Sequence, residues 1–513
     1  MTELPNRLHR ILDQGAANGA DRVAFVDEAG DNWTFQDLID ASAGVADDLS
    51  ALGVRPGDRL MIVCENSIAA IVLLYAASRI DAWAVMTNAR LSAREIDAIK
   101  EDCAPRRTVY VHGTSADAGG HGRRTGARDH EFHRIGSVLI SDLDETCSVE
   151  PVSPDPAKQV AVLIYTTGTT GRPKGVMLSH ANLVFVASQG KRTGRILPED
   201  VSLCLMPISH SYGLTTMQGM LFAGGRQHLM ARFSVSGVAQ LILAQTLTVL
   251  MAVPAVYSRL INFAKTQDRR LVPNRLRYLY TGTAPLDLTL RRHSEDVLGV
   301  VMQNGYGLTE TSPTISRSGF ALGSDETHIG VPIPEVEVRI AAPGTGEPVA
   351  AGTPGELLVR GPNVMVGYYR QPDLTRAVID ADGFFATGDI ARQAKDGALH
   401  LEGRAKELII RSGFNVYPQE IEAELNAHPG VFASAVVGRD VENDEEIIAF
   451  VELAPGQSVT AQALAEFIAP RLTPYKRPQR IVILDALPLS PNAKILKHEL
   501  KARAAKLPMT AVQ

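Results

Sequence analysis

The ten residues from Thr166 to Gly175, TTGTTGRPKG, combine four threonines, three glycines and the amine of Lys174. Glycines permit close backbone approach and positive φ. Threonine hydroxyls and exposed amides supply a concave set of donors for an oxyanion with several oxygens. A lysine beside such donors reads as a phosphate site. It is not a Walker loop, which asks for Gly-x-x-x-x-Gly-Lys followed by Ser or Thr. Five on from Gly168 stands Pro173, and Lys174 is followed by Gly175. The plain alternative is a Gly/Thr surface loop.

Three further stretches carry chemistry of a matching kind. In Gln303–Thr311, QNGYGLTET, Gly305 and Gly307 flank Tyr306 and present an aromatic face on which a purine can stack. Glu310 in the same stretch is the hard oxygen ligand that Mg²⁺ prefers. Gly282-Thr283-Ala284-Pro285 has side chains small enough for a planar ring to approach the backbone. In Leu205–Leu214, LMPISHSYGL, His210 and Tyr212 stand in a turn entering a helix. A lone histidine beside apolar residues is ordinarily structural.

Read in order, these segments resemble the motifs of the adenylate-forming superfamily, which comprises acyl-CoA synthetases, luciferases and nonribosomal adenylation domains. The resemblance runs over essentially the whole chain. It implies that Thr166, Thr167, Gly168, Thr169, Thr170 and Lys174 hold the phosphates of ATP, and that Gly282, Thr283, Ala284, Asn304, Gly305, Tyr306, Gly307 and Thr309 surround the adenine. By the same resemblance Glu310 holds Mg²⁺ and Asp389, in Thr387-Gly388-Asp389, binds the ribose hydroxyls, a task suited to an ionised carboxylate. His210 matches the gate between acyl pocket and adenylate, with Tyr212, Gly282 and Pro313 lining that pocket. Leu401–Leu425, LEGRAKELIIRSGFNVYPQEIEAEL, resembles the junction between the superfamily's two domains. There Arg404 falls at the ribose contact, Lys406 at the hinge, and Gly413 and Phe414 along the pantetheine channel. Lys494 falls at the catalytic lysine, although Asn492-Ala493 replaces the family's usual Ser-Gly.

The elements needed to position these residues are legible too. Val160–Tyr165 reads as a buried strand, and Ser179 as the N-cap of a following helix. Residues 1 to about 110 alternate strand and helix patterns, with Ser92 and Glu95 forming a capping box. Pro254 opens a helix between the strands VLMAVP and LRYLYTG. From Gly330 onward short β units, including GYYRQP, suggest a small antiparallel lobe. Pro418 fits the first turn of a helix with Ile421 and Leu425 inward, and Phe432–Gly438 reads as a strand. The fold class is α/β: a large N-terminal domain of two α/β sheets plus a small β lobe, and a small mobile α+β C-terminal domain. The expected boundaries are 1–403 and 404–513.

At 513 residues the chain is too long for one core. A net charge of −6 argues against nucleic acid or an anionic membrane as partner. Cys64, Cys103, Cys147 and Cys204 lack metal spacing and read as free thiols in a reducing compartment. No signal peptide is visible, and the longest apolar run, Ile68–Ala77, is far short of a transmembrane segment. A cytoplasmic enzyme is expected. His112, His121, His130 and His133 lie in or beside a Gly/Arg-rich stretch, 113–134, that reads as a mobile surface insertion rather than a metal site.

The implied reaction uses ATP, Mg²⁺ and CoA to activate a small-molecule carboxylic acid through an acyl-adenylate. The small residues around His-Ser-Tyr-Gly-Leu favour a medium- or long-chain fatty acid. The alternatives are an aryl acid of the benzoate or cinnamate type, or an amino acid loaded onto a carrier protein. A homodimer is left open.

Overall fold

Strands buried on both faces carry near-continuous apolar runs, and Arg59–Cys64 (RLMIVC) is buried at every position. It lies inside an eight-stranded sheet of the computed structural model, which describes residues 4–167, 173–267, 270–283, 286, 288–324, 326–411, 414–441, 444–489 and 495–508. The sheet order is Gly367–Tyr368, Pro173–Ser179, Val160–Thr167, Trp83–Asn88, Arg59–Cys64, Arg107–Tyr110, Gly136–Ile140 and Arg128–Phe132. Its centre is parallel and its edges antiparallel. Two helices start where expected, at Ser92 and Ser179; these serines and Ser67 each accept an amide as N-cap, and Ser92–Glu95 and Ser179–Asn182 close capping boxes.

A second α/β layer joins a four-stranded sheet, from Val201–Cys204 out to Asn32–Thr34, to a five-stranded one from Val249–Met251 to Val331–Pro332. The Thr248 amide donates to the Val201 carbonyl at 2.9 Å and links the two. An antiparallel lobe follows, ordered Glu337–Ala341, Gly355–Arg360, Phe385–Gln393 and Leu399–Arg404. The C-terminal part is a three-stranded sheet with helices Pro418–Asn426, Ala461–Ile468 and Lys497–Ala505. Ile421 and Leu425 are buried in its core together with Ile409 and Val416. The chain is thus a large α/β domain followed by a small α+β one.

Two expectations change. Residues 113–134 are not a loose insertion: helix Ala116–Arg124 and strand Arg128–Phe132 form there, because Ala118, Gly122 and Phe132 bury small or apolar surface against the large sheet. His121 is spent on that packing, its Nε2 lying 3.2 Å from the Ala89 carbonyl. The segment GYYRQP does not join the small lobe. Gly367–Tyr368 instead pairs with Met177 and Val176 at the edge of the large sheet. The four cysteines are free and buried. Among the described residues no helix is long and apolar enough to cross a membrane.

Candidate active site

Strands Val160–Thr167 and Pro173–Ser179 form an antiparallel hairpin in which Thr166 pairs with Lys174 and Tyr165 with Gly175. This places Lys174 at the base of the Gly/Thr tip; Gly168, Thr169 and Thr170 at that tip lie outside the described residues. Lys174 Nζ stands 5.3 Å from the centre of the Tyr368 ring, and the Tyr368 hydroxyl donates to Glu310 Oε1 at 2.8 Å. Tyr368 thus spans the gap between the lysine and the carboxylate. Burial, then the Glu310 charge, pushes its hydroxyl well above the usual phenol range. Nothing in the sequence pointed to Tyr368. Its strand docks here because Asn182, the capping-box residue, also donates to the carbonyls of Pro362 and Val364 at 2.7 and 2.9 Å.

Glu310 sits in the short 3-10 turn Thr309–Thr311. That turn is tied to helix Ser211–Ala223 by a 3.1 Å contact between the Ser211 and Thr309 hydroxyls and by Thr215 Oγ1 donating to the Ser312 carbonyl at 2.9 Å. The glycines around Tyr306 have a steric cause beyond presenting its ring. A Cβ on Gly305 would lie 1.7 Å from the Tyr280 hydroxyl, and one on Gly307 1.4 Å from the Pro313 carbonyl. Asn304 is buried, and its Oδ1 has no hydrogen-bond partner among the described residues. Such an acceptor costs stability until a donor meets it.

Tyr306 donates to Asp389 Oδ2 at 2.5 Å, and Arg404 Nε lies 3.2 Å from Asp389 Oδ1. Asp389 and Arg404 are register partners on adjacent strands of the lobe, so the lobe is held to the Tyr306 segment through one buried carboxylate. Burial and then the Asp389 charge hold the Tyr306 hydroxyl well above its usual range, and the same carboxylate raises Arg404. These three expected site residues are brought together.

His210 is the N-cap of helix Ser211–Ala223: its Nδ1 accepts from the Tyr212 amide at 3.3 Å. The preceding loop is clamped by Asn66, which donates to the carbonyls of Cys204 and Met206 and accepts from the Ile208 amide. Below His210, along the helix, Tyr212, Thr215, Thr216, Gly219 and Met220 face a cavity walled by Met251, Tyr278, Tyr280 and Pro313. Of the residues expected to line an acyl pocket, Tyr212 and Pro313 stand in the wall of this cavity, and His210 and Gly282 do not. Gly282 packs beside one wall residue: a Cβ there would lie 3.9 Å from the Tyr212 ring. The rings of Tyr278 and Tyr280 are stacked at 6.0 Å, and Tyr280 tilts against Tyr212 at 6.3 Å.

Lys406 lies exposed in the 3-10 turn Ala405–Glu407, between the lobe strand ending at Arg404 and the strand Ile409–Arg411. Phe414 pairs with Arg411 through the backbone. Ala284, Gly413 and Lys494 lie outside the described residues. Lys497, three positions beyond Lys494, contacts Glu407 at 2.8 Å and Glu422 at 2.9 Å.

The hairpin carrying Lys174, the turn carrying Glu310 and the Asp389–Arg404 pair are thus linked through Tyr368 and Tyr306. Residues 12–369 match the AMP-binding enzyme family, and residues 420–494 match the AMP-binding enzyme C-terminal domain. The chain belongs to the AMP-binding enzyme family. This AMP-binding enzyme is 32% identical to 4-coumarate–CoA ligase 5 of Oryza sativa subsp. japonica, over 97% of this chain and 94% of that one. It is 33% identical to feruloyl-CoA synthase of an Amycolatopsis species, over 93% and 95%. Its fold is similar to that of O-succinylbenzoate coenzyme A synthetase from Bacillus subtilis in complex with ATP and magnesium ion. That match has a TM-score of 0.81 and 27% identity, over 96% of this chain and 99% of the other.

Proposed function

We propose that this AMP-binding enzyme is an AMP-forming acid–CoA ligase whose acid is an aryl acid of the cinnamate or benzoate type. The observation that carries the acid is the cavity beside helix Ser211–Ala223, faced by the rings of Tyr212, Tyr278 and Tyr280. A planar ring laid against one of these tyrosine faces would make a favoured aromatic pair, with centroids about 4.5–7 Å apart. The relatives named for coumarate, ferulate and succinylbenzoate support the same acid class. The fatty acid expected from the His-Ser-Tyr-Gly-Leu segment is therefore replaced by the aryl alternative.

The reaction has two steps. A carboxylate oxygen of the acid attacks the α-phosphorus of ATP, the bond to the β-phosphate bridging oxygen breaks, and pyrophosphate leaves. The CoA thiol, losing its proton, then attacks the acyl carbonyl, and AMP leaves with the electron pair of the cleaved C–O bond. In the first step negative charge grows on phosphoryl oxygens, so positioned cations lower the barrier. Lys174 and the Thr166–Thr170 segment hold the phosphates, and Lys494 carries the charge contact made in the transition state. Asn304 Oδ1 accepts from the adenine amine, with Gly282, Thr283, Ala284, Gly305, Gly307 and Thr309 bordering the base. Tyr306 fixes Asp389, which with Arg404 takes the ribose hydroxyls. Glu310, a partly exposed carboxylate aimed by Tyr368, is a fitting hard ligand for Mg²⁺. When bound, the ion neutralises phosphate charge.

His210, held by its own helix, separates the adenylate from the ring pocket. The boundary between domains falls at 403/404, and Lys406 is the pivot that lets the Gly413–Phe414 segment replace Lys494 at the cleft for the thiol step. Pyrophosphate release from ATP with a panel of cinnamates, benzoates and C8–C16 fatty acids, each with and without CoA, tests this reading. Faster turnover of the fatty acids than of every aryl acid would overturn the acid class. Pyrophosphate release with no CoA thioester from any acid would overturn the ligase.

A further inference from the structure

Two guanidinium groups line the ring pocket. Arg317, whose backbone pairs with Gly305, stands 5.7 Å from the centre of the Tyr280 ring, and its buried Nε has no hydrogen-bond partner among the described residues. Arg195, in the turn after helix His180–Arg192, stands 6.0 Å from the Tyr278 ring. Both are in the cavity wall. Among the described residues neither lies within 4 Å of an Asp or Glu oxygen. Neighbouring arginines differ: Arg277 is paired with Asp200, and buried Arg291 with Glu295.

Each guanidinium is partly buried and faces a phenol, Tyr280 for Arg317 and Tyr278 for Arg195, a weaker partner than the anion that its fork matches. The tyrosines do not supply the missing charge. Burial pushes the Tyr278 hydroxyl up to about 12 even with Arg317 and Arg195 beside it, and Tyr280 is raised as well. Near neutral pH both are uncharged. The pocket is therefore electropositive at a place where the phosphates do not sit. Strand Tyr278–Thr281 leads into Gly282, and alternate residues of a strand share a face about 6.6 Å apart. Tyr280 and then Tyr278 thus step away from the adenylate end, each with an arginine over its ring.

Resting on the aryl-acid reading, we propose that the substrate is an aromatic diacid: one carboxyl is activated, and a second carboxylate on the far side of the ring is received by Arg317 and Arg195. A guanidinium fork matches a carboxylate with two parallel hydrogen bonds, so the pair sets specificity as well as affinity.

The test compares kcat/KM for pyrophosphate release with four acids: 4-carboxycinnamate, its neutral twin 4-methylcinnamate, suberate and octanoate. The diacid of the aryl pair is expected to lead its twin by about 10-fold or more. Arg317→Met should shrink that ratio at least about 10-fold, Arg195→Met should shrink it less, and Arg317→Lys should keep part of it. Because each ratio is taken on one enzyme, loss of active protein cancels. Should Arg317→Met fail to fold, the wild-type ratio and Arg195→Met carry the same test. A neutral twin used as well as the diacid by the wild-type enzyme overturns the inference and leaves the aryl reading intact. Suberate preferred to octanoate, with both preferred to the aryl acids, overturns the aryl reading and upholds the arginine pair as the reader of a second carboxylate.

Discussion

The Tyr368 hydroxyl donates a 2.8 Å hydrogen bond to Glu310 Oε1, across 58 residues of sequence. The bond joins the edge strand of the large sheet to the turn that carries the proposed metal ligand. It also sets Tyr368 under the ammonium of Lys174. A carboxylate held this way keeps one orientation, which a metal ligand needs.

Tyr368→Phe removes only the hydroxyl and frees Glu310 to rotate. The half-saturating Mg²⁺ concentration for pyrophosphate release should rise by about 10-fold, the worth of one hydrogen bond to a charged group. Glu310→Gln should raise it further, since an amide is a poorer ligand for a hard cation. An unchanged Mg²⁺ titration in both variants would make the pair structural.

Lys494→Ala should lower adenylation by on the order of 10²-fold or more, the scale of one transition-state charge contact. The same variant should still convert synthetic acyl-adenylate and CoA to thioester. Adenylation near the wild-type rate would remove Lys494 from the mechanism. Lys497 is a poor substitute in this arrangement, because Glu407 and Glu422 already hold its ammonium.

The turn Ala405–Glu407 stands between Arg404, bound to the lobe through Asp389, and Ile409, buried in the C-terminal core. Proline fixes φ near −65° and removes an amide donor. Lys406→Pro should leave single-turnover pyrophosphate release largely intact. Thioester formation should fall at least about 10-fold, roughly 1.4 kcal/mol on the barrier. Equal loss in both half-reactions would indicate misfolding instead of a blocked pivot.

Acid stability offers a test away from the cleft. Burial, with Arg79, His180 and Arg10 adding to it, pushes the His9 imidazole down to about 4. Its unfolded value is near 6.5, so between about pH 6.5 and 4 the unfolded chain binds the extra proton. Stability from this site is present above 6.5 and is lost as pH falls toward 4. Thermal midpoints measured from pH 7 to 4.5 should therefore fall more steeply for wild type than for His9→Gln, by on the order of a few degrees. Parallel slopes would exclude His9 as a contributor.

What the chain's text determined by itself is local. The Gly/Thr hairpin, the caps at Ser92 and Ser179 and the helix opened by Pro254 each depend on residues a few positions apart. Short-range sterics and hydrogen bonds therefore decide them, and the order of those pieces sufficed for the superfamily. The acid was not legible in this way. The segment around His210 and Tyr212 says nothing of Tyr278, Tyr280, Arg195 and Arg317, which reach the same cavity from three other stretches of chain. Residues 113–134 show no regular pattern for a related reason: their small and weakly periodic side chains become a helix and a strand only against the face of the large sheet. Tyr368, Asn66 and the Asp389–Arg404 pair likewise acquire their partners only when strands distant in sequence are brought into register. Tertiary packing decided those contacts, because the free energy that fixes each one comes from burial and pairing with residues that no local window contains.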